Sequence, residues 1–255
     1  MEKQAEKPEV LHMEFADLRA SLAEGWADFR RAPLFGFAFA AVYVLGGWVI
    51  YAAMTVKGQI WWTLPAAAGF PILGPFVACG VYEVSRRLEA GEPLVWGEIF
   101  GLIFKQKDRQ IPSIAAVIVV FFLFWNFLAH MIFALFLGNA TMTNISSSLA
   151  VFTSGPGLTM LLVGTAVGAV FATLLFALTV VSLPMLLERE VDFVTAMLTS
   201  VAVVTESPVV LLSWGVLVAA LLFAAMLPGF LGLLVVLPVL GHATWHLYRR
   251  AIAWP

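Results

Sequence analysis

Six apolar runs divide the chain: residues 34–54, 62–82, 111–137, 158–187, 209–227 and 230–247. None of them contains Asp, Glu, Lys or Arg. A helix rising ~1.5 Å per residue needs about 20 apolar residues to cross a hydrocarbon core of roughly 30 Å, so each run is long enough to span once. The runs lack the alternation of barrel strands, and lipid offers no partner to a free backbone amide, so helices are expected. Between the runs lie shorter patterned stretches. Leu11, Phe15, Leu18, Leu22, Trp26 and Phe29 recur at steps of three and four, which predicts an amphipathic helix ending at Ala32-Pro33. Residues 96–104 and 193–198 repeat the theme.

Punctuation is periodic too. Pro33, Pro112 and Pro208 stand at the entries to the first, third and fifth runs, where a proline is tolerated in a first helical turn and turns the residue before it away from helix. Pro75, Pro184 and Pro238 precede the ends of the second, fourth and sixth. The pattern predicts an all-α membrane protein with six transmembrane helices as three helical hairpins, each led by an amphipathic interfacial helix. In domain terms, residues 1–33 form a tail and interfacial helix, 34–250 the transmembrane domain and 251–255 a C-terminal tail. Gly69, Pro71, Gly74 and Pro75 mark the second run as the best place for a kink or a broken helix.

Charge sets the orientation. Of the fourteen Lys and Arg, thirteen fall in the segments before the first run, between the second and third, between the fourth and fifth, or after the sixth, and only Lys57 falls elsewhere. By the positive-inside rule those segments and both termini are cytoplasmic, while Lys57 and the loop 139–157 are external. All sixteen carboxylates lie on the cytoplasmic side as well. The chain is 62% hydrophobic and only 12% charged, with a mean hydropathy of +0.96, far from soluble averages. The formal net charge of -2 suggests no nucleic-acid partner. The expected partners are the lipid bilayer and other membrane proteins. Cys79, the single cysteine, permits no intramolecular disulfide and reads as a small apolar filler. Asn139-Ala140-Thr141 and Asn144-Ile145-Ser146 match the glycosylation sequon, a pattern without meaning in a bacterial membrane.

Residues that could carry chemistry are few. His242 and His246 sit four apart on one helical face, the spacing at which two imidazoles reach one metal ion, yet no Cys, Asp or Glu close in sequence completes a set. They suit polar caps near the cytoplasmic end better, with Trp245 and Tyr248 in the aromatic belt. Asn126 and His130 share a face of the third run and are expected to turn inward, bridging helices or lining a polar path. Glu83, Arg86, Arg87, Arg189, Arg249 and Arg250 are the candidate contacts of the cytoplasmic rim, with a Glu83 to Arg87 pair at helical spacing. No HExxH, no GxSxG and no pair of buried carboxylates occurs, so neither an enzyme nor a cofactor is expected.

Residues 25–33 (Gly-Trp-Ala-Asp-Phe-Arg-Arg-Ala-Pro), 68–76 continuing through 82–91, 181–187 and 241–250 (Gly-His-Ala-Thr-Trp-His-Leu-Tyr-Arg-Arg) resemble a bacterial family of predicted integral membrane proteins catalogued as a domain of unknown function, DUF2189. The resemblance covers nearly the whole chain and is most specific in the last segment. It implies a multi-pass inner-membrane protein and no reaction. Members of the family have sometimes borne a cytochrome-oxidase label, but a haem-copper core needs several histidines on different helices. Only His130, His242 and His246 lie in or near the membrane here, and His12 lies in the tail. Two functional classes follow: a non-catalytic interaction, scaffold or assembly factor for a membrane complex, a respiratory one included, or a small permease or flippase for a neutral or lipid-like substrate. Proton coupling is disfavoured by the absence of carboxylates from every run.

Overall fold

The structure, a computed structural model, describes residues 8–57, 63–138 and 155–254, without the side chains of 53–57 and 63–73. The sequons at Asn139 and Asn144 and most of the loop 139–157 lie outside the described residues. Ten α-helices are described: α1 (Phe15–Arg31), α2 (Pro33–Lys57), α3 (Thr63–Ala90), α4 (Trp96–Lys105), α5 (Ile111–Leu137), α6 (Gly155–Thr179), α7 (Ser182–Glu188), α8 (Phe193–Glu206), α9 (Pro208–Met226) and α10 (Leu233–Ala251). Two short strands, β1 (Glu9–Val10) and β2 (Ile252–Ala253), pair antiparallel and tie the two ends of the described chain together, with Glu9 opposite Ala253.

Among the described residues four segments are long and apolar enough to cross a membrane: Pro33–Ala52, Ile111–Leu137, Gly155–Glu188 and Pro208–Met226. The other two long helices, α3 and α10, are apolar at one end and charged at the other. α2 packs on α3, α5 on α6 and α9 on α10. Each amphipathic stretch is a helix, and Pro33, Pro112 and Pro208 stand in the first turns of α2, α5 and α9.

The exit prolines behave differently from one another. α3 runs unbroken through Pro71 and Pro75, and α10 carries Pro238 inside it. Ahead of Pro184 the fourth run breaks at Val180 and Val181 into α6 and α7. A proline cannot donate to the carbonyl four residues back and its ring clashes there, which accounts for the break falling at that distance.

α1 and α2 run alongside α10 in the opposite direction. Glu24 meets Arg250, Asp28 meets His246, and the Trp48 indole donates to the Gly229 carbonyl at 2.8 Å. The largest core gathers where α1, α3, α5, α7, α8, α9 and the end of α10 converge, around Met13, Met185, Trp214, Trp245, Leu247 and Tyr248. The Met13 amide donates to Ser207 Oγ at 2.8 Å, fixing the chain just before α1 to the start of α9.

The face of α1 that packs overlaps the apolar stripe at Leu18, Leu22 and Phe29 but is rotated away from Phe15 and Trp26. Leu18, Ser21, Gly25, Asp28 and Phe29 are its buried residues, whereas Phe15 and Trp26 are exposed. Gly25 is the reason. A Cβ there would lie 2.5 Å from the Ala243 backbone nitrogen, so only glycine lets the two helix backbones approach this closely.

Candidate functional site

Charge concentrates at the end where α3 and α10 finish. At the end of α3, Glu83 is fully buried, and Arg86 and Arg87, one turn on, both reach back to its carboxylate. Arg86 donates to it at 2.7 and 3.0 Å and Arg87 at 2.7 Å. Each arginine has a second partner beyond the helix: Arg86 meets Glu92 at 2.8 Å, and Arg87 meets Glu98 at 2.6 Å and the Pro93 carbonyl at 2.8 Å. Hydrogen bonds to Glu83 and Glu92 raise the Arg86 pKa above its ordinary value. The chain turns between α3 and α4 at Gly91, whose φ of 68° favours glycine. The Glu92 amide donates to the Arg87 carbonyl and the Gly91 amide to that of Leu88, the paired bonds of a Schellman cap. Sequence spacing, the cap and the arginines together clamp α4 onto α3.

Arg249 joins α3 to α7 across α10, donating to Glu89 at 3.2 Å and to Glu188 at 2.9 Å. The Trp245 indole also donates to Glu89, at 3.0 Å, and the Tyr248 hydroxyl donates to Glu188. Burial, and then that bond to Glu188, push the Tyr248 hydroxyl pKa up. Between these pairs lies a cavity of about 540 Å³. Its wall is Glu83, Arg86, Glu89, Glu188 and Arg249, with Trp245 among the apolar side chains that complete it.

A third cluster pins α1. Asp28 accepts from His246 Nε2 at 2.7 Å, His246 Nδ1 lies 3.2 Å from Glu24, and Arg250 donates to Glu24 at 2.6 and 2.7 Å. The bond from Arg250 leads in holding the Glu24 pKa below its ordinary value. Burial alone would raise Asp28, but hydrogen bonds from His246 and Ser85 and the nearby histidines outweigh it, and its pKa is lowered. Ser85 Oγ and His242 Nδ1 are 2.7 Å apart. Among the described residues His242 Nε2 and Ser21 Oγ, both buried, have no partner, so this cluster has unused hydrogen-bonding capacity.

The six rim candidates therefore divide. Glu83, Arg86 and Arg249 share one cavity wall, Arg87 clamps α4, and Arg250 holds α1. Arg189 lies over the Trp254 ring, 4.8 Å from its centroid. His242 and His246 are on one helix but turn to different partners, and among the described residues no three His, Cys, Asp or Glu side chains assemble as metal ligands. Asn126 and His130 bond to their own helix: the Asn126 amide donates to the Phe122 carbonyl, and His130 Nδ1 bonds to the Asn126 carbonyl. Among the described residues neither bonds to another helix. Glu24 and Asp28, legible only as part of the polar side of α1, and Ser85, Glu89 and Glu188 could not be marked as site residues from the sequence because their partners lie far away in it. The one available signal was the run Ser21, Gly25, Asp28, small and polar at helical spacing.

The family model described as predicted integral membrane protein (DUF2189) matches residues 63–188. That central segment is similar to this family. The match takes in α3 with Glu83, Arg86, Arg87 and Glu89, and runs as far as Glu188 on α7. It covers 126 of 255 residues, so it is narrower than the resemblance read from the sequence, and α1 and α10 lie beyond it. No curated protein and no solved structure matches the chain. The chain is accordingly an integral membrane protein with several candidate spanning helices.

Proposed function

We propose that this protein is a non-catalytic scaffold or assembly factor of the bacterial inner membrane, with six spans arranged as three hairpins and both termini cytoplasmic. The observation that carries the reading is the internal use of the charged groups. Glu83, Glu89, Glu188, Arg86, Arg87 and Arg249 are committed to one another and to neighbouring backbone, which suits a rigid platform better than an acid, base or nucleophile held ready for a substrate. Beside that platform α4 leaves Phe104 69% exposed and Trp96 and Phe100 partly so. An apolar edge next to a charged rim is a surface for another membrane protein. The test is native mass spectrometry of the protein extracted in mild detergent. A heteromeric assembly of fixed stoichiometry, lost in a folded Phe104→Glu variant, is the expected result. A lone species that gains thermal stability only with a lipid-like solute would overturn it.

That last outcome belongs to the second reading, a permease or flippase for an apolar substrate. It is favoured by an apolar cavity of about 490 Å³ among α2, α9 and α10, lined by residues that include Tyr43, Gly47, Leu222, Phe230 and Leu237. Tyr43, Leu222 and Leu237 also line a neighbouring cavity of about 200 Å³ that reaches α3.

A further inference from the structure

We infer that the junction of α1 and α2 is a binding site for the headgroup of an anionic phospholipid, held by Arg30 and Arg31. The inference is independent of the scaffold reading and needs only that Pro33–Ala52 spans the membrane.

By composition α1 with its capping residue Glu14 looks unsuited to anionic lipid, with four acids (Glu14, Asp17, Glu24 and Asp28) against three arginines. The fold removes the acids from the balance. Glu24 is taken by Arg250 and Asp28 by His246, both on the side facing α10. Asp17 accepts from the Glu14 amide in the first turn. At ~1.5 Å per residue that turn is roughly 20 Å from Arg30, about two screening lengths in physiological salt. Arg30 and Arg31 are exposed and have no carboxylate partner among the described residues. The free surface at this end of α1 is therefore cationic.

Its position fits the same ligand. Arg31 is two residues before Pro33, the first residue of a candidate span, so both guanidinium groups stand where a spanning helix leaves the hydrocarbon. Ala27, Phe29, Arg30, Arg31 and Pro33 line an open cavity of about 620 Å³. Around it, the Phe29 ring meets Trp26 at 5.7 Å and Phe37 at 5.5 Å between centroids. Leu34, at 70% exposure, continues the apolar surface. Paired arginines below an aromatic and aliphatic rim match a phosphate above acyl chains: guanidinium binds phosphate oxygens in a two-toothed fashion, and Trp favours the headgroup level.

The test uses the full chain in detergent, with phosphatidylglycerol or phosphatidylcholine added and the retained lipid counted by native mass spectrometry. Wild type should retain phosphatidylglycerol over phosphatidylcholine by on the order of tenfold. R30Q/R31Q should bring the ratio close to one, and K105Q/K107Q, which removes two cations of α4 and the turn after it, should leave it unchanged. Equal retention of the two lipids by wild type overturns the site without reference to any variant. Survival of the preference in R30Q/R31Q, or an equal loss in K105Q/K107Q, overturns the assignment to these arginines. Displacement of phosphatidylglycerol by millimolar inorganic phosphate would show a site for free phosphate and overturn the lipid as its ligand.

Discussion

The end of the molecule around Glu83 and Tyr248 and the half built from α5, α6 and α9 are made of opposite materials. At the charged end Trp245, Leu247, Met185 and Ile99 are enclosed, and so are Glu83, Ser85, Asp28 and His242. In the other half, large apolar residues face outward: Leu162 is 65% exposed, Val216 70% and Leu135 73%. Lipid tails are as apolar as leucine, so burying such residues against each other gains little there, and shape and small residues must organise the helices. The charged end has water as its alternative. Hydrophobic burial and paired charges act there as in a soluble domain, and helices reaching it from both halves of the chain are locked in register. The charged end is where this fold is determined.

Removing the centre of that end should have the largest effect. Glu83→Ala leaves Arg86 and Arg87 without the carboxylate both share, and breaking a buried pair in this one-sided way costs about 3 to 5 kcal/mol. In a chain of this size that amounts to a fall on the order of 10 °C in the thermal transition of the solubilised protein. A transition unchanged within a degree would mean that the arginine clamp does not hold the end together.

The comparison sharpens with one substitution in each region. Leu247→Ala, at a fully buried position of α10, should cost about 2 to 5 kcal/mol. Leu162→Ala, on the outer face of α6, should change stability in a lipid nanodisc by less than about 0.5 kcal/mol, as expected of a surface change. Equal losses at the two positions, measured by thermal unfolding in the same nanodisc, would remove the distinction between the regions.

Glycines give a smaller contrast. Gly25→Val drives a side chain into the Ala243 backbone and should cost about 1 to 3 kcal/mol, loosening α1 so that a protease cuts it sooner. At Gly101 on α4 a Cβ meets nothing within 4 Å, so Gly101→Ala should be neutral or stabilising by up to about 1 kcal/mol through helix propensity. Similar protease half-lives for the two variants would show that close approach at Gly25 is not what docks α1.

These contrasts also mark how far the sequence could be read. The helical membrane class was legible, because apolar runs free of charge are long-range averages that no single contact can overturn. So were the three short helices and the entry prolines, which depend on local spacing. α1 was foreseen as a helix, but Trp26 and Phe15 were assigned to its packed face because hydrophobicity was the only local cue. Gly25 and Asp28 decide the matter through Ala243 and His246, more than 200 residues away. The rim was legible as a set of charges on one side, whereas the sharing of Glu83 by two arginines, of Arg249 by two glutamates and of His246 by two α1 acids is set by tertiary structure. The different exits at Pro75 and Pro184 were beyond reach too, since both sequences offer the same proline.

The smallest effect expected is an acid response of the α1 and α10 clasp. Glu24 and Asp28 both have pKa values lowered from ordinary values of 4.5 and 3.8. A carboxylate with a lowered folded pKa contributes stability that is fully present above its unfolded value and is lost as pH falls through the folded one. The contribution of these two carboxylates should therefore be constant from pH 7 down to about 5, begin to fall below about 4.5 as Glu24 would protonate in the unfolded chain, and fall further below about 3.8 through Asp28. Glu24 is partly exposed to solvent, so screening limits its share to under about 1 kcal/mol. Thermal unfolding of wild type and Glu24→Gln between pH 7 and 3.5 isolates that share: the variant should begin less stable at neutral pH and converge on wild type as the solution is acidified. Parallel curves that never converge would place the stabilising contact of α1 in the Gly25 packing alone.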